Sequence, residues 1–430
     1  MSELALFGGP RAVTIERDFQ WPIAGEEEIA EVTAMLRTGT LSDTGYGDAI
    51  RRFEEACAGW LDMPFALSRV DGTAALHSAC FAAGIGPGDE VIVQSYTWVA
   101  TAGCILACGA VPVFADIDPR TYTLDSGDVE RRITPRTKAI VVVHLWGHMA
   151  DMDPIRAIAA RHGLVVIEDA AHAHGATYKG RQAGTIGDIG CFSFQATKGL
   201  PAGEGGLVVT RERKYFERAL LLAQSPGRLK LHIELPEHKP FVDTGFSAYK
   251  YRINPLNAVI GYHQLRRLEH YNAIRQRNLD HLTGQLEDVP GVRPPYTSPD
   301  VTRGAYYGYP ILYMPDELGG LPIETFLAAM QAEGVALAPE RYPMLHLAAL
   351  YQQRNPLLGN WPWSYSDETR NVAYSQGDLP VTEEVHPRLL AIQAWDKATP
   401  CEDLFHEYAQ AFRKVAAASD RLQKTQLSHD

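Results

Sequence analysis

Apolar and polar positions along this chain follow two periods, and the period switches repeatedly. Near the start it is helical: Glu26 to Leu36 reads as an amphipathic helix, and Asp48 to Trp60 as another, with Ile50, Phe53, Ala56 and Cys57 on one face. Short, continuous apolar runs then take over. Glu90-Val91-Ile92-Val93, Val111-Pro112-Val113-Phe114-Ala115, Thr137 to His144 and the run opening at Leu164 each read as a strand covered on both faces. Helical stretches separate them, near Ala100 to Cys108 and from Pro154 to His162, the latter ended by Gly163. Cys191-Phe192-Ser193-Phe194 is another short buried strand. This strand–helix rhythm predicts an α/β fold with a mostly parallel sheet.

The second part of the chain has a different pattern. Asn257 to Gln276 carries one long helical pattern leading into it. Ala305 to Tyr313 reads as an aromatic strand, Pro322 to Glu333 as a helix, His386 to Trp395 as another, and Leu404 to Leu422 as a closing helix. A chain of 430 residues exceeds one simple core. The expected division is an N-terminal arm over 1–20, a large domain over 21–256 and a smaller α+β domain over 257–430. Asn355 to Asp367, with Trp361-Pro362-Trp363, is irregular and aromatic; it reads as a packed surface loop, with a substrate-covering loop as the alternative.

Charge narrows the classes. With 40 basic and 52 acidic residues the net charge is −12, which disfavours nucleic acid as a partner. The balance of 21% charged and 46% apolar residues is ordinary for a soluble enzyme. The first ten residues have no basic segment or long apolar core, so no signal peptide is expected. No run approaches the roughly 18 to 20 apolar residues of a membrane-spanning helix, so no membrane partner is expected. Six cysteines are scattered without CxxC spacing. Cys104 and Cys108, four apart, read as core rather than metal ligands; no metal site and a reduced, cytoplasmic protein are expected.

Candidate chemistry sits where the apolar runs end. Asp169 ends the run Val165-Val166-Ile167-Glu168, and Lys198 closely follows the Cys191 run. Open α/β sheets bind ligands at such strand ends. A lysine amine and a carboxylate so placed suit pyridoxal 5′-phosphate (PLP). The amine condenses with the aldehyde, and the aspartate keeps the ring nitrogen protonated so that the ring acts as an electron sink. On the alternative reading Asp169 caps a helix starting at Ala170, and Lys198 is a solvated loop lysine. Gly72-Thr73, before Ala74-Ala75-Leu76, offers backbone N–H groups to a phosphate, or is an ordinary helix cap. Trp98 has a face broad enough to stack on a pyridine ring, or it packs in the core. His172, three after Asp169, would share its side of a helix starting there. Ser193 has a hydroxyl suited to a phosphate, or is a satisfied strand serine.

Taken in order, Gly72-Thr73-Ala74-Ala75-Leu76, Pro87-Gly88-Asp89-Glu90-Val91, Thr97-Trp98-Val99-Ala100-Thr101, Gly109-Ala110-Val111-Pro112-Val113, Glu168 to Gly175, Phe192-Ser193-Phe194 with Lys198, and Tyr249-Lys250-Tyr251-Arg252 resemble the DegT/StrS-type sugar aminotransferases. These are a branch of the aspartate-aminotransferase fold of PLP enzymes. The resemblance is dense from Trp21 to Leu268 and loose over the last third. It implies a sheet that Gly206 to Thr210 closes in part antiparallel, with Lys198 and Asp169 catalytic. It also implies Gly72 and Thr73 on the PLP phosphate, Trp98 on the ring and His172 near its phenolic oxygen. Many members put Asn at the position of Lys250, reaching the phosphate across a dimer interface. The resemblance therefore implies a homodimer, in which Lys250 or Arg252 makes that contact; a solvated surface pair is the alternative.

Gln195 stands where many nucleotide-sugar aminotransferases carry His. Phe194-Gln195 with Gly203-Glu204-Gly205-Gly206 is similar to the branch acting on keto-cyclitols and to aminohydroxybenzoate synthases. The expected activity is transfer of an amino group from glutamate or glutamine to a keto-cyclitol or keto-sugar in aminocyclitol-type secondary metabolism, through pyridoxamine phosphate. Gln195, Tyr342 and His346 are the substrate candidates; the segment 341–346, with Trp361 and Trp363, is expected to close over a compact ring. Arg228 and Lys230 would serve the diphosphate of a nucleotide-linked sugar, the rival substrate. An aminohydroxybenzoate-synthase-like lyase or dehydratase is a further alternative. A PLP-binding regulator is disfavoured by the complete catalytic set.

Overall fold

The computed structural model describes residues 3–43, 45–246, 248–340 and 342–426. In chain order the strands are β1 (Phe65–Arg69), β2 (Glu90–Gln94), β3 (Val111–Ala115), β4 (Thr137–Val143), β5 (Val165–Asp169), β6 (Thr177–Tyr178) and β7 (Arg181–Gln182). They continue as β8 (Ile189–Ser193), β9 (Gly206–Thr210), β10 (Val292–Arg293), β11 (Val301–Thr302), β12 (Gly308–Tyr313), β13 (Leu337–Pro339) and β14 (Leu389–Gln393). The main sheet has the order β1-β9-β8-β5-β4-β2-β3, and β2, β3, β4, β5 and β8 are parallel.

The apolar runs form central strands because both their faces are covered. Ile92, Ile140, Val142 and Val166 point into one core, while Val91, Val93, Val141 and Ile167 point into the other. β9 runs antiparallel to both β8 and β1. β1 and β8 therefore point the same way as β5. Arg69 and Ser193 both pair with Gly206, and Asp169 pairs with Cys191, so three strands end on one edge of the sheet. The helix Gly72–Ala82 starts at that edge, directly after β1.

A second, antiparallel sheet of order β10-β12-β14-β13 has its own core. The N-terminal segment packs there, with Leu4 and Val13 buried and the Ala5 and Ala12 N–H groups both donating to Glu333 at 2.8 Å.

Several expectations need correction. The edge strand β1 was not anticipated. His386 to Trp395 is not a helix: Leu389–Gln393 is β14, hydrogen-bonded on both sides by β12 and β13. The expected helix from Asn257 to Gln276 is two helices, Pro255–Leu265 and Leu268–Leu286. The first packs on helices Glu26–Thr38 and Asp48–Leu61, the second on Glu402–Ala416, so the axis breaks where the chain passes from one core to the other. The closing helix is likewise split, into Glu402–Ala416 and Ser419–Gln426. No helix follows Asp169; residues 170–175 turn tightly, with Ala173 N–H on Ala170 O and Ala176 N–H on Ala173 O, both at 2.9 Å.

An aromatic stack joins the two parts. Trp146, after β4, lies nearly parallel to Tyr342 at 4.8 Å, and His172 lies nearly parallel to Tyr307 at 4.0 Å. Gly308 makes room for Trp146, since a Cβ there would lie 2.1 Å from the indole. Gly308→Ala is expected to lower unfolding free energy by about 1–3 kcal/mol through overpacking, read from the midpoint of urea denaturation.

Candidate active site

The shared strand edge opens into a cavity of about 500 Å³. It is lined by Gly72, Thr73, Trp98, Asp169, His172, Ser193, Gln195, Lys198 and Tyr342 among others, so most of the residues singled out in the sequence meet here. Among the described lining residues Lys198 is the sole lysine or arginine.

Asp169 is 5% exposed at the end of β5. Its Oδ2 accepts from Thr101 Oγ1 at 2.8 Å and its Oδ1 from Ala171 N–H at 3.2 Å. Burial pushes its pKa up; the Thr101 and Ala171 hydrogen bonds and the charge of Lys198 only partly counter this. Thr101 was missed as a site residue. It lies in the first turn of the helix Val99–Ala107, and its hydroxyl is 3.1 Å from that of Thr97. Glu168, on the opposite face, is held by His144 at 2.8 Å and by the N–H groups of Gly184, Ile186 and Gly187.

The helix Gly72–Ala82 is capped by Asp71, which accepts from Ala74 N–H at 2.7 Å. A Cβ on residue 72 would lie 2.6 Å from Ser193 Cβ, so only glycine lets the helix start abut the end of β8. That contact puts the first helical amides beside the Ser193 hydroxyl, a donor set that fits a phosphate group.

Lys198 Nζ lies 4.2 Å from the centroid of the Tyr307 ring. Its backbone is fixed by Lys198 N–H on Gln195 O at 2.8 Å and by Trp21 Nε1 on Lys198 O at 3.2 Å. Trp98 is half exposed at the rim, 5.7 Å from Tyr342. His172 reaches the site from a turn rather than from a helix, and its Nε2 is 3.3 Å from Tyr342 Oη. Tyr307 was read only as part of an aromatic strand; its place before β12 brings it against Lys198 and His172.

Other expected residues lie elsewhere. His346 is buried outside the cavity lining, with Nδ1 on Ser95 at 2.7 Å and Nε2 on Glu383 at 3.1 Å. Both ring nitrogens are engaged in structure, so it is withdrawn as a substrate contact. Trp363 is buried in the core of the large sheet and Trp361 packs near Gly109; neither lines the cavity. Arg341 lies outside the described residues. Arg228 is buried in an ion pair with Glu54 at 2.5 Å, and Lys230 pairs with Asp243 at 2.7 Å, so neither faces the cavity. Lys250 is exposed and Arg252 half-buried, both outside the lining.

A lysine and a buried carboxylate meet at the ligand edge of this sheet, and the fold is that of the aspartate-aminotransferase-like PLP aminotransferases. Residues 22–402 match the DegT/DnrJ/EryC1/StrS aminotransferase family, and the chain belongs to it. The family is one of PLP-dependent aminotransferases. The chain is similar to the L-glutamine:2-deoxy-scyllo-inosose aminotransferase of Streptoalloteichus tenebrarius, 36% identical over 92% of this chain and 93% of that one. It is also 36% identical to the L-glutamine:scyllo-inosose aminotransferase of Streptomyces griseus, over 96% and 97%. The solved structure of DesI in the presence of its TDP-sugar product matches with a TM-score of 0.77 and 28% identity, covering 99% of each chain.

The raised pKa of Asp169 has a stability consequence. A folded-state carboxyl pKa above the unfolded value means that the folded protein binds the proton more tightly. Stability therefore falls as pH rises through the window from the unfolded to the folded pKa. In cofactor-free protein, Asp169→Asn is expected to raise the Tm at pH 7, and the gain should shrink as pH falls below that window. Calorimetric melts at both ends of the range check this; an equal or lower Tm for the variant at pH 7 would contradict the burial cost.

Proposed function

We propose that this protein transfers the amino group of glutamine to the ketone of a polyhydroxylated carbocycle, a keto-cyclitol, in aminocyclitol biosynthesis, with PLP as its cofactor. The substrate assignment is carried by the acceptors named for two similar aminotransferases, and the charge of the described lining agrees with it. Apart from Lys198 the cavity's described lining offers hydroxyls, an amide, aromatic faces and carboxylates. A nucleotide diphosphate would need cationic partners, and the candidates Arg228 and Lys230 are engaged with acids elsewhere. The activities named for the two inosose aminotransferases support the same choice of donor and acceptor.

In this reading Gly72, Thr73 and Ser193 hold the cofactor's phosphate, Trp98 covers its ring, and His172 serves its phenolic oxygen. When bound, PLP supplies a carbonyl for amine exchange and a ring that accepts the electron pair left at the donor's α-carbon. The Asp169 carboxylate, oriented by Thr101 and Ala171, keeps the proton on the ring nitrogen. The Lys198 amine would take the proton from the donor's α-carbon as general base and pass it, as general acid, to the carbon of the cofactor's aldehyde group.

Lys250 or Arg252 is assigned to a neighbouring protomer's phosphate, which makes the working unit a homodimer with composite sites. Substitution of the contacting residue to alanine is expected to weaken PLP retention severalfold. Mixing that variant with Lys198→Ala should then restore activity, because one site per heterodimer is intact; no regain with either residue's variant would remove both residues from the site.

Steady-state kinetics test the substrate. Expected is a kcat/KM for scyllo-inosose or its 2-deoxy form at least about tenfold above that for a nucleotide-linked keto-sugar, a difference of about 1.4 kcal/mol in transition-state binding. The reverse preference would transfer the assignment to nucleotide sugars.

A further inference from the structure

Gln195 lines the cavity, half-buried, and its orientation follows from counting protons. Its Oε1 lies 2.9 Å from Thr197 N–H, which identifies that atom as the oxygen, since an amide nitrogen could not accept there. The same Oε1 lies 2.6 Å from Thr197 Oγ1, so the threonine hydroxyl proton is committed to it. Thr197 Oγ1 is also 3.1 Å from Tyr307 Oη. With its only proton already placed, Thr197 can only accept from Tyr307. Donation therefore runs from Tyr307 to Thr197 to Gln195.

This leaves Gln195 with its Nε2, which carries two N–H donors and has no hydrogen-bond acceptor among the described residues. An amide considered alone can donate and accept; this one has its acceptor engaged on both sides. Tyr307 is itself held, its ring stacked on His172 at 4.0 Å.

We propose that Tyr307 and Thr197 are positioning residues that hold Gln195 as a one-way hydrogen-bond donor to the acceptor substrate, so that the site selects a ketone presenting an oxygen at that point over one presenting an ammonium. The inference rests on the keto-cyclitol reading above. A hydroxyl oxygen accepts from Nε2. An ammonium has three donors and no acceptor, so it would face the amide donor to donor, leaving hydrogen bonds unmade.

Two ketones on the cofactor-loaded protein provide the test: scyllo-inosose, and the same ring with one hydroxyl replaced by an amino group. The parent protein is expected to favour the fully hydroxylated ketone in kcat/KM. Gln195→Glu keeps an oxygen for Thr197 but replaces the donor facing the cavity with an acceptor. It should shift the ratio of the two kcat/KM values by about tenfold or more toward the amino ketone. Thr197→Val, which breaks the relay, should shift it in the same direction by severalfold, and Thr197→Ser should restore it. Calorimetric binding of scyllo-inositol, the unreactive alcohol analogue, reads the same contact without turnover; Gln195→Glu should weaken it severalfold. An unchanged ratio in Gln195→Glu, with unchanged scyllo-inositol affinity, overturns the inference even if both ketones are aminated. So does loss of PLP affinity with an unchanged ratio, which would give the donor to the cofactor. If the parent protein aminates neither ketone, the proposed function fails instead, and the binding measurement alone decides the role of Gln195.

Discussion

The Asp169 carboxylate is taken out of water at the end of a central strand, and the surrounding structure gives it only part of what an ionised group needs there. One oxygen has the Thr101 hydroxyl and the other the Ala171 amide. Burial still dominates and raises its pKa. Under the proposed function, the protonated ring nitrogen of the cofactor would supply what these two donors leave unmet. The local chain path supplies these two donors. Helix Val99–Ala107 must begin at the sheet edge to bring Thr101 within reach, and the chain must turn after Asp169 so that the Ala171 amide points back. The same turn carries His172 over the cavity.

Glu168 shows the contrast within one dipeptide. It is as deeply buried, but His144 and three backbone amides surround it, and together they outweigh burial and hold its pKa below the usual range. Alternation along β5 sends it away from the cavity, into the packing of the β6–β7 region. The saturated carboxylate is a structural anchor; the under-satisfied one faces the site. On the far side of the cavity the Trp146, Tyr342, His172 and Tyr307 rings lock the second sheet against the first. Lys198 is therefore approached by residues from both parts.

Much of this was legible in the sequence, for a physical reason. Strands buried on both faces are continuous apolar runs, so β2 to β5 and β8 stand out, and the residues that end them mark the ligand edge. Lys198, Asp169 and Ser193 were singled out by that logic, whereas Gly72 and Thr73, which follow the unanticipated β1, were singled out by their Gly-Thr pattern and the family resemblance. Leu389 to Gln393 was misread because a short apolar run has no period that separates strand from helix; pairing with β12 and β13 decides it. The helix after Asp169 was expected from capping propensity, which loses here to the hydrogen bonds of the turn. His346 was proposed with the segment 341–346 as part of a closure over the substrate, and its partner Ser95, which holds it elsewhere, lies 251 residues away in sequence. The bonds that orient Gln195 are local, from Thr197 N–H and Oγ1, but the link onward to Tyr307 was hidden, since Tyr307 meets Thr197 across 110 residues.

The central claim is that the amine of Lys198, and no other, reacts with the cofactor's carbonyl at this edge. The direct measurement is peptide mass mapping after PLP-loaded protein is reduced with borohydride. The account predicts a phosphopyridoxyl mass on the peptide carrying Lys198, absent from Lys198→Ala protein. The same mass on another lysine of active protein, with Lys198 unmodified, would contradict it.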